Sequence, residues 1–114
     1  MNAEELLTKY AGGERNFQGV ELGGAAFYRA NLSGVNFSGA NLVGANFGGA
    51  NLSGASLSKA TLIGANLSAA TLIEADLTDA DLIGANLSGA KLSGAKLKAR
   101  FNGANFSAAN LSNA

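Results

Sequence analysis

Residues 30–54 read ANLSG VNFSG ANLVG ANFGG ANLSG, five units of five residues each. Each unit begins with a small apolar residue, has a central Leu or Phe in third place and ends with Gly, the corner residue. A period of five fits neither the 3.6-residue turn of an α-helix nor the heptad of a coiled coil. In an extended segment the first and third residues share one side and Asn points to the other. The stretch therefore predicts short extended segments joined by corners.

The same unit fills almost all of the 114 residues. There are 20 central residues between Phe17 and Leu111, spaced by five except for one step of four from Leu97 to Phe101. Gly occupies 12 corners, where a type II turn requires positive φ. One unit cannot bury its central residue but stacked coils can, so the chain is predicted to be a β-solenoid. We expect the step of four to be a tightened corner.

The unit ANLSG at residues 30–34 resembles the motif of the pentapeptide repeat family, A-(D/N)-L-x-x. The resemblance covers residues 15–114. It implies an all-β fold, a right-handed quadrilateral β-helix with four units in each of about five coils. Residues separated by four units would then stack on one face. The stretch EELLTKYAGGERNFQGVEL at residues 4–22 is also similar to the N-terminal caps of cyanobacterial members.

We predict that residues 1–13 form a short helical cap, which precedes the solenoid of residues 14–114. Asn2 and Glu5 form a start like a capping box, and Gly12 with Gly13 ends the helix. Leu6, Leu7 and Tyr10 share one face of that helix.

The C-terminal stretch AANLSNA has no comparable cap. Because open β edges favour pairing, we expect the last coil to be a candidate end-to-end contact of a homodimer. Its candidate residues are Phe101, Phe106 and Leu111.

The composition favours a protein without catalysis or cofactors. There is no Cys and no His, which excludes disulfides and His-based catalysis or metal binding. The 8 acidic and 8 basic residues cancel, which argues against binding to nucleic acid or to an anionic membrane. No apolar run reaches the ~20 residues of a membrane span. The N-terminus has no signal-peptide pattern, so a cytoplasmic location is expected.

Charged residues cluster between positions 74 and 100. Four carboxylates at Glu74, Asp76, Asp79 and Asp81 offer oxygen ligands for a divalent cation, but stacking on charged residues one coil away favours structural pairs instead. The matching basic cluster of Lys91, Lys96, Lys98 and Arg100 could otherwise receive an acidic partner. The predicted pairs are Asp76 with Lys96, Asp81 with Arg100, and Lys59 with Asp79.

Val43, Ile63 and Ile83 directly follow central residues and should stack in one outward line, the aliphatic stripe. An exposed aliphatic stripe is a candidate interaction surface for a protein partner. The alternative is that these β-branched residues only pack against one another in the sheet.

The sequence favours a non-enzymatic structural or protein-interaction module whose partner it does not name. The family resemblance implies one alternative, since some pentapeptide repeat proteins mimic DNA and bind type II topoisomerases. With equal numbers of acids and bases, this chain departs from that pattern.

Overall fold

The computed structural model describes residues 1–114 as one helix followed by a four-sided coil. The helix, α1, spans Ala3–Ala11, and the molecule measures 33 × 21 × 21 Å. Each coil visits four faces, which we name A to D in chain order. Their central residues are 17, 37, 57, 77 and 97 on face A; 22, 42, 62, 82 and 101 on face B; 27, 47, 67, 87 and 106 on face C; and 32, 52, 72, 92 and 111 on face D.

Successive coils are joined by parallel bridges from Asn16↔Asn36 at one end to Lys91↔Asn110 at the other. Each bridge is isolated, so the structure contains no β-strand of ordinary length. The reason is the repeat itself, because a corner in every unit leaves no room for a longer extended segment. The predicted quadrilateral β-helix is confirmed, although its faces are built from single bridges instead of strands.

The corners explain the Gly of the repeat. A backbone bond closes each regular corner, as where Ala65 N–H donates to Leu62 O at 3.0 Å. The corner residue has positive φ, for example 65° at Gly64. Seven corners hold other residues in the same left-handed conformation: Arg29, Lys59, Ala69, Glu74, Asp79, Ala108 and Asn113.

The outward Asn of the repeat has a structural role that sequence reasoning did not assign. Its side-chain oxygen accepts a hydrogen bond from the backbone N–H two residues later, as from Ser53 N to Asn51 Oδ1 at 3.0 Å. Asp76 and Asp81 do the same for Thr78 and Ile83. This bond satisfies an N–H group that the turn leaves unpaired. The recurrence of Asn or Asp directly before the central residue is the sequence pattern that could have predicted this hydrogen bond.

The core is a single column of central residues and small apolar residues. It holds most central residues, from Phe17 to Leu92, at 4% exposure or less. Phe rings stack near the N-terminal end, with 5.2 Å between the centroids of Phe27 and Phe47. Apart from the hydroxyl of Tyr10, the buried side chains of this column are apolar.

Helix α1 closes the first coil. Asn2 Oδ1 accepts the N–H of Glu5 at 2.8 Å, which caps the helix start as predicted. Leu6 and Tyr10 are buried, and the Tyr10 hydroxyl donates to Ser33 O at 2.6 Å. Arg15, the one charged residue at a small-residue position, lies 3.6 Å from the Tyr10 ring centroid. The exception in the repeat is therefore part of the cap.

The step of four is absorbed at one corner. Asp76 pairs with Lys96 at the regular spacing of four full units, whereas Asp81 pairs with Arg100, one position short of that spacing. The closing bond of a regular corner is missing here, because Ala99 follows Leu97 by two residues instead of three; Ala99 N–H makes no backbone bond and Leu97 O receives none. All pairing beyond this corner continues in the shorter register.

Candidate interaction surfaces

The C-terminal end of the coil, which we call the open edge, carries backbone groups that have no hydrogen-bond partner. Twelve backbone bonds join the fourth coil to the last one, from central N–H groups, corner N–H groups and small-residue carbonyls. The equivalent groups of the last coil make no bond. Eleven groups are involved: the N–H of Leu97, Phe101, Gly103, Phe106, Ala108, Leu111 and Asn113, and the C=O of Ala95, Ala99, Ala104 and Ala109.

The three predicted end-contact residues lie at the open edge. Phe101 and Phe106 are partly buried and pack edge to face, with ring centroids 5.5 Å apart. Leu111 is 43% exposed, whereas Leu92, one coil below it, is fully buried. The end of the apolar column is therefore open to solvent beside unpaired backbone groups.

The aliphatic stripe lies on face B. Val43 is 40% exposed, Ile63 is 39% exposed and Ile83 is partly buried. Their carbonyls link successive coils, as where Gly44 N–H donates to Ile63 O at 2.9 Å. Every corner beside the stripe is Gly, so no neighbouring corner side chain covers it. These corners are Gly24, Gly44, Gly64, Gly84 and Gly103.

A further exposed aliphatic residue escaped the sequence reasoning. Ile73 is 37% exposed and occupies the same place after a central residue, but on face D. Its neighbours one coil away are Ser53 and Ser93. Ile73 is therefore isolated, and the stripe is a property of face B.

The predicted charge pairs differ in closeness. Arg100 Nη1 lies 3.9 Å from Asp81 Oδ2, with 73% and 23% of the two side chains exposed. The other two pairs, Asp76 with Lys96 on face A and Lys59 with Asp79 at the corner after face A, are stacked but do not form ion pairs. Long exposed side chains gain little from such pairing and stay solvated. Of the three predicted pairs, only Asp81 with Arg100 comes within ion-pair distance.

Asp76 is nevertheless held in its charged form. Hydrogen bonds from the Thr78 hydroxyl and the Thr78 N–H lower the pKa of its carboxyl below 3.8, and the positive charge of Lys96 adds to this, while burial opposes it. The effect is to strengthen a corner, because the same carboxylate accepts the N–H of Thr78.

The acidic cluster does not converge on one point. Asp76 lies on face A, Asp79 at the corner after it, and Asp81 on face B. Glu74 lies at the corner after face D. No group of three or more carboxylates is close enough to hold a metal ion. A shallow groove at the step of four is lined by Lys59, Asp79, Asp81, Lys98 and Arg100, a mixture of charges that favours no one ligand sign.

No helix in the structure combines the length and apolar character needed to cross a membrane. The candidate surfaces are thus two: the open edge at the end of the coil and the stripe along its side. Neither contains a group of residues that could hold a metal ion, and both expose apolar side chains to solvent.

The comparisons with known proteins agree with the architecture. The family model described as pentapeptide repeats (8 copies) matches residues 16–49, 30–68 and 62–98. The chain therefore belongs to the pentapeptide repeat family. A comparison with curated proteins finds no significant match.

Two solved structures extend the likeness. A pentapeptide repeat protein from the cyanobacterium Cyanothece 51142 is 31% identical, with a TM-score of 0.65 over 84% of this chain and 63% of that one. A pentapeptide repeat protein from the thylakoid lumen of Arabidopsis thaliana is 39% identical, with a TM-score of 0.56 over 83% of this chain and 60% of that one. The chain thus spans less than two thirds of either relative.

The plasmid-mediated fluoroquinolone resistance protein QnrB1 shares the fold. It is 21% identical, with a TM-score of 0.59 over 87% of this chain and 73% of that one. At this identity the likeness concerns the fold alone.

Proposed function

We propose that this chain is a non-enzymatic interaction module that self-associates end to end through its open edge. The observation that carries the proposal is the row of eleven unpaired backbone groups around Phe101, Phe106 and Leu111. Unpaired edges of this kind pair readily with another chain. The partly open apolar column at the same place adds a hydrophobic contribution to such pairing.

The shape of the open edge favours a second four-sided coil as its binding partner over an extended peptide. The edge offers one bridging position per face and then turns a corner, so a straight peptide strand could satisfy only a fraction of it. Another four-cornered coil fits all four faces. The N-terminal end of a second copy is closed by α1, so a head-to-tail chain of copies is blocked. Two open edges must then meet each other, related by a two-fold axis.

The charges of the last coil restrict how two edges meet. Its three bases are Lys96 and Lys98 on face A and Arg100 on face B. A two-fold axis through the corner between faces D and A brings A against D and B against C. Lys96 then faces the neutral Asn110, and Arg100 faces the neutral Asn105. This arrangement avoids contact between like charges.

The test is the oligomeric state of the 114-residue chain by light scattering and sedimentation over a range of concentrations. We expect a concentration-dependent dimer. Leu111→Lys places a charge at the open edge and should give a monomer with little change in thermal midpoint. Ile73→Lys adds the same charge to an exposed site on face D and should still dimerise. Circular dichroism checks that both variants fold.

A strictly monomeric wild type at high concentration would overturn the homodimer. That result would favour the other occupant that fits the edge, namely further coils of polypeptide. Equal dimerisation of Leu111→Lys and wild type would place the contact elsewhere on the molecule.

The aliphatic stripe is a second candidate contact surface, supported by the exposure of Val43 and Ile63 beside a line of Gly corners. The test compares wild type with a variant that changes Val43, Ile63 and Ile83 to Ser, in a pull-down from lysate followed by measurement of affinity with the captured protein. Ile73→Ser is the matched control. Binding lost only in the triple variant supports the surface. Unchanged binding with a lower thermal midpoint would assign the stripe to sheet packing.

The DNA-mimic alternative receives no support from the surface charges. A mimic needs rows of carboxylates in place of phosphates, but Asp81 lies beside Arg100 and Asp76 is stacked with Lys96. A supercoiling assay in which this chain inhibits a type II topoisomerase would reverse that judgement.

A further inference from the structure

Asn102 is chemically distinct from the other Asn residues of the chain. The sequence contains 13 Asn, and Asn102 is the only one followed by Gly. Most of the others precede a bulky central Leu or Phe. A following Gly leaves the side-chain amide carbon open to attack by the next backbone nitrogen, because no Cβ obstructs the approach.

The structure places Asn102 and Gly103 at an exposed corner of the last coil. Gly103 N–H has no hydrogen-bond partner, whereas the equivalent Gly84 N–H donates to Asn102 O at 2.9 Å. The Asn102 side chain makes no hydrogen bond, unlike Asn105 and Asn110, whose Oδ1 atoms accept from Ser107 and Ser112. Both reacting groups at Asn102–Gly103 are thus free.

We infer that Asn102–Gly103 is a site of spontaneous deamidation. Loss of the Gly103 N–H proton frees the nitrogen to attack Asn102 Cγ, forming a C–N bond. The bond from Cγ to the side-chain nitrogen breaks, and that nitrogen leaves as ammonia. Water then opens the cyclic imide at either carbonyl, giving Asp or isoaspartate at position 102. No enzyme or oxidant takes part.

The product changes the open edge in two ways. A carboxylate appears two residues from Arg100, whose side chain is 73% exposed. The isoaspartate form also adds a backbone carbon at the corner, which disturbs the spacing of the segments that follow it on faces C and D. This consequence for association rests on the proposed function, whereas the modification does not.

The test is incubation of the 114-residue chain in warm, mildly alkaline buffer made with ¹⁸O-labelled water. Tryptic cleavage after Arg100 gives the peptide of residues 101–114, which holds Asn102, Asn105, Asn110 and Asn113 together. Mass spectrometry with fragmentation then locates each conversion. We expect label at residue 102 to accumulate severalfold faster than at the other three. Asn102→Gln should remove it, because glutamine cyclises far more slowly.

A synthetic peptide of residues 101–114 is the control for chemical competence. If the peptide converts at Asn102 while the folded chain does not, the inference is overturned. Equal rates at the four Asn residues would also overturn it. The variant Asn102→Asp then reports on association by light scattering. A monomeric wild type that still deamidates at residue 102 would refute the proposed dimer and leave the modification site standing.

Discussion

At the scale of single residues, the corner position sets the local energetics. A residue with a Cβ in the left-handed conformation is disfavoured by about 1–2 kcal/mol relative to the right-handed one. Gly avoids this penalty, yet seven corners tolerate other residues. Ala69 and Gly64 have nearly equal φ of 56° and 65° and occupy equivalent corners. They are thus a matched pair for measuring the penalty.

Ala69→Gly should raise the free energy of unfolding by about 1 kcal/mol, because it removes the left-handed strain at modest cost in chain entropy. Gly64→Ala should lower it by a similar amount, since no atom lies within 4 Å of the added Cβ and only the backbone is penalised. Urea unfolding curves measure both. Changes of the same sign in the two variants would show that corner conformation does not control stability.

Asp76 links stability to pH. The pKa of its carboxyl is lowered in the folded state from the ordinary value of 3.8. Its contribution to the free energy of unfolding is therefore fully present above that pH and is lost as the pH falls through the lower folded-state pKa. Asp76→Asn keeps the oxygen that accepts the Thr78 N–H but not the charge. We expect the variant to be less stable than wild type at neutral pH and equal to it in strong acid. Urea midpoints at the two conditions test this, with Glu14→Gln as the control for loss of one exposed negative charge.

At the scale of elements, α1 and the first coil form one unit. The buried Leu6 and Tyr10 of the helix belong to the same apolar cluster as Phe17 and Leu22. The hydroxyl bond from Tyr10 to Ser33 O and the stacking of Arg15 on the Tyr10 ring fix the helix against the coil. The cap therefore covers the N-terminal end of the apolar column, whereas the open edge leaves the C-terminal end uncovered.

Tyr10→Phe should cost about 1 kcal/mol, because it removes a hydrogen bond and leaves Ser33 O without its hydroxyl donor. Hydrogen exchange should accelerate first at the amides of the first coil. Thr8→Val, which removes an exposed side-chain bond to Glu4 O within the helix, is the control. Uniform acceleration along the whole chain would contradict a local role for the tyrosine.

At the scale of the whole molecule, stability should be graded along the coil axis. Inner coils are bonded on both sides, whereas the last coil is bonded only to the coil below it. Solenoid stability depends on such nearest-neighbour contacts. The open edge should therefore be the first part to unfold.

Native-state hydrogen exchange should show the strongest protection at Leu52, Leu57 and Leu62 and weak protection at Asn105 and Asn110, although all of these N–H groups are bonded. Amide exchange at low protein concentration measures the monomer. Equal protection in the last and middle coils would show that the chain opens only as a unit.

Much of this structure followed from the sequence alone. The period of five excluded long helices, the spacing of apolar residues predicted the inward column, and the capping pattern at Asn2 predicted α1. The stacking of Asp81 with Arg100 followed from counting along the chain across the step of four. These features depend on short-range sterics and on a strict repeat, both of which can be read from neighbouring residues.

Only the tertiary structure decided which groups are free. Sequence spacing could not separate the ion pair of Asp81 from the solvated Asp79, because side-chain reach depends on the conformation at each corner. It could not show that Ile73 stands alone, or that Gly103 N–H lacks the partner which Gly84 N–H has. Exposure and hydrogen bonding depend on what the neighbouring coils provide, and that is a property of the stacked molecule, not of the repeat.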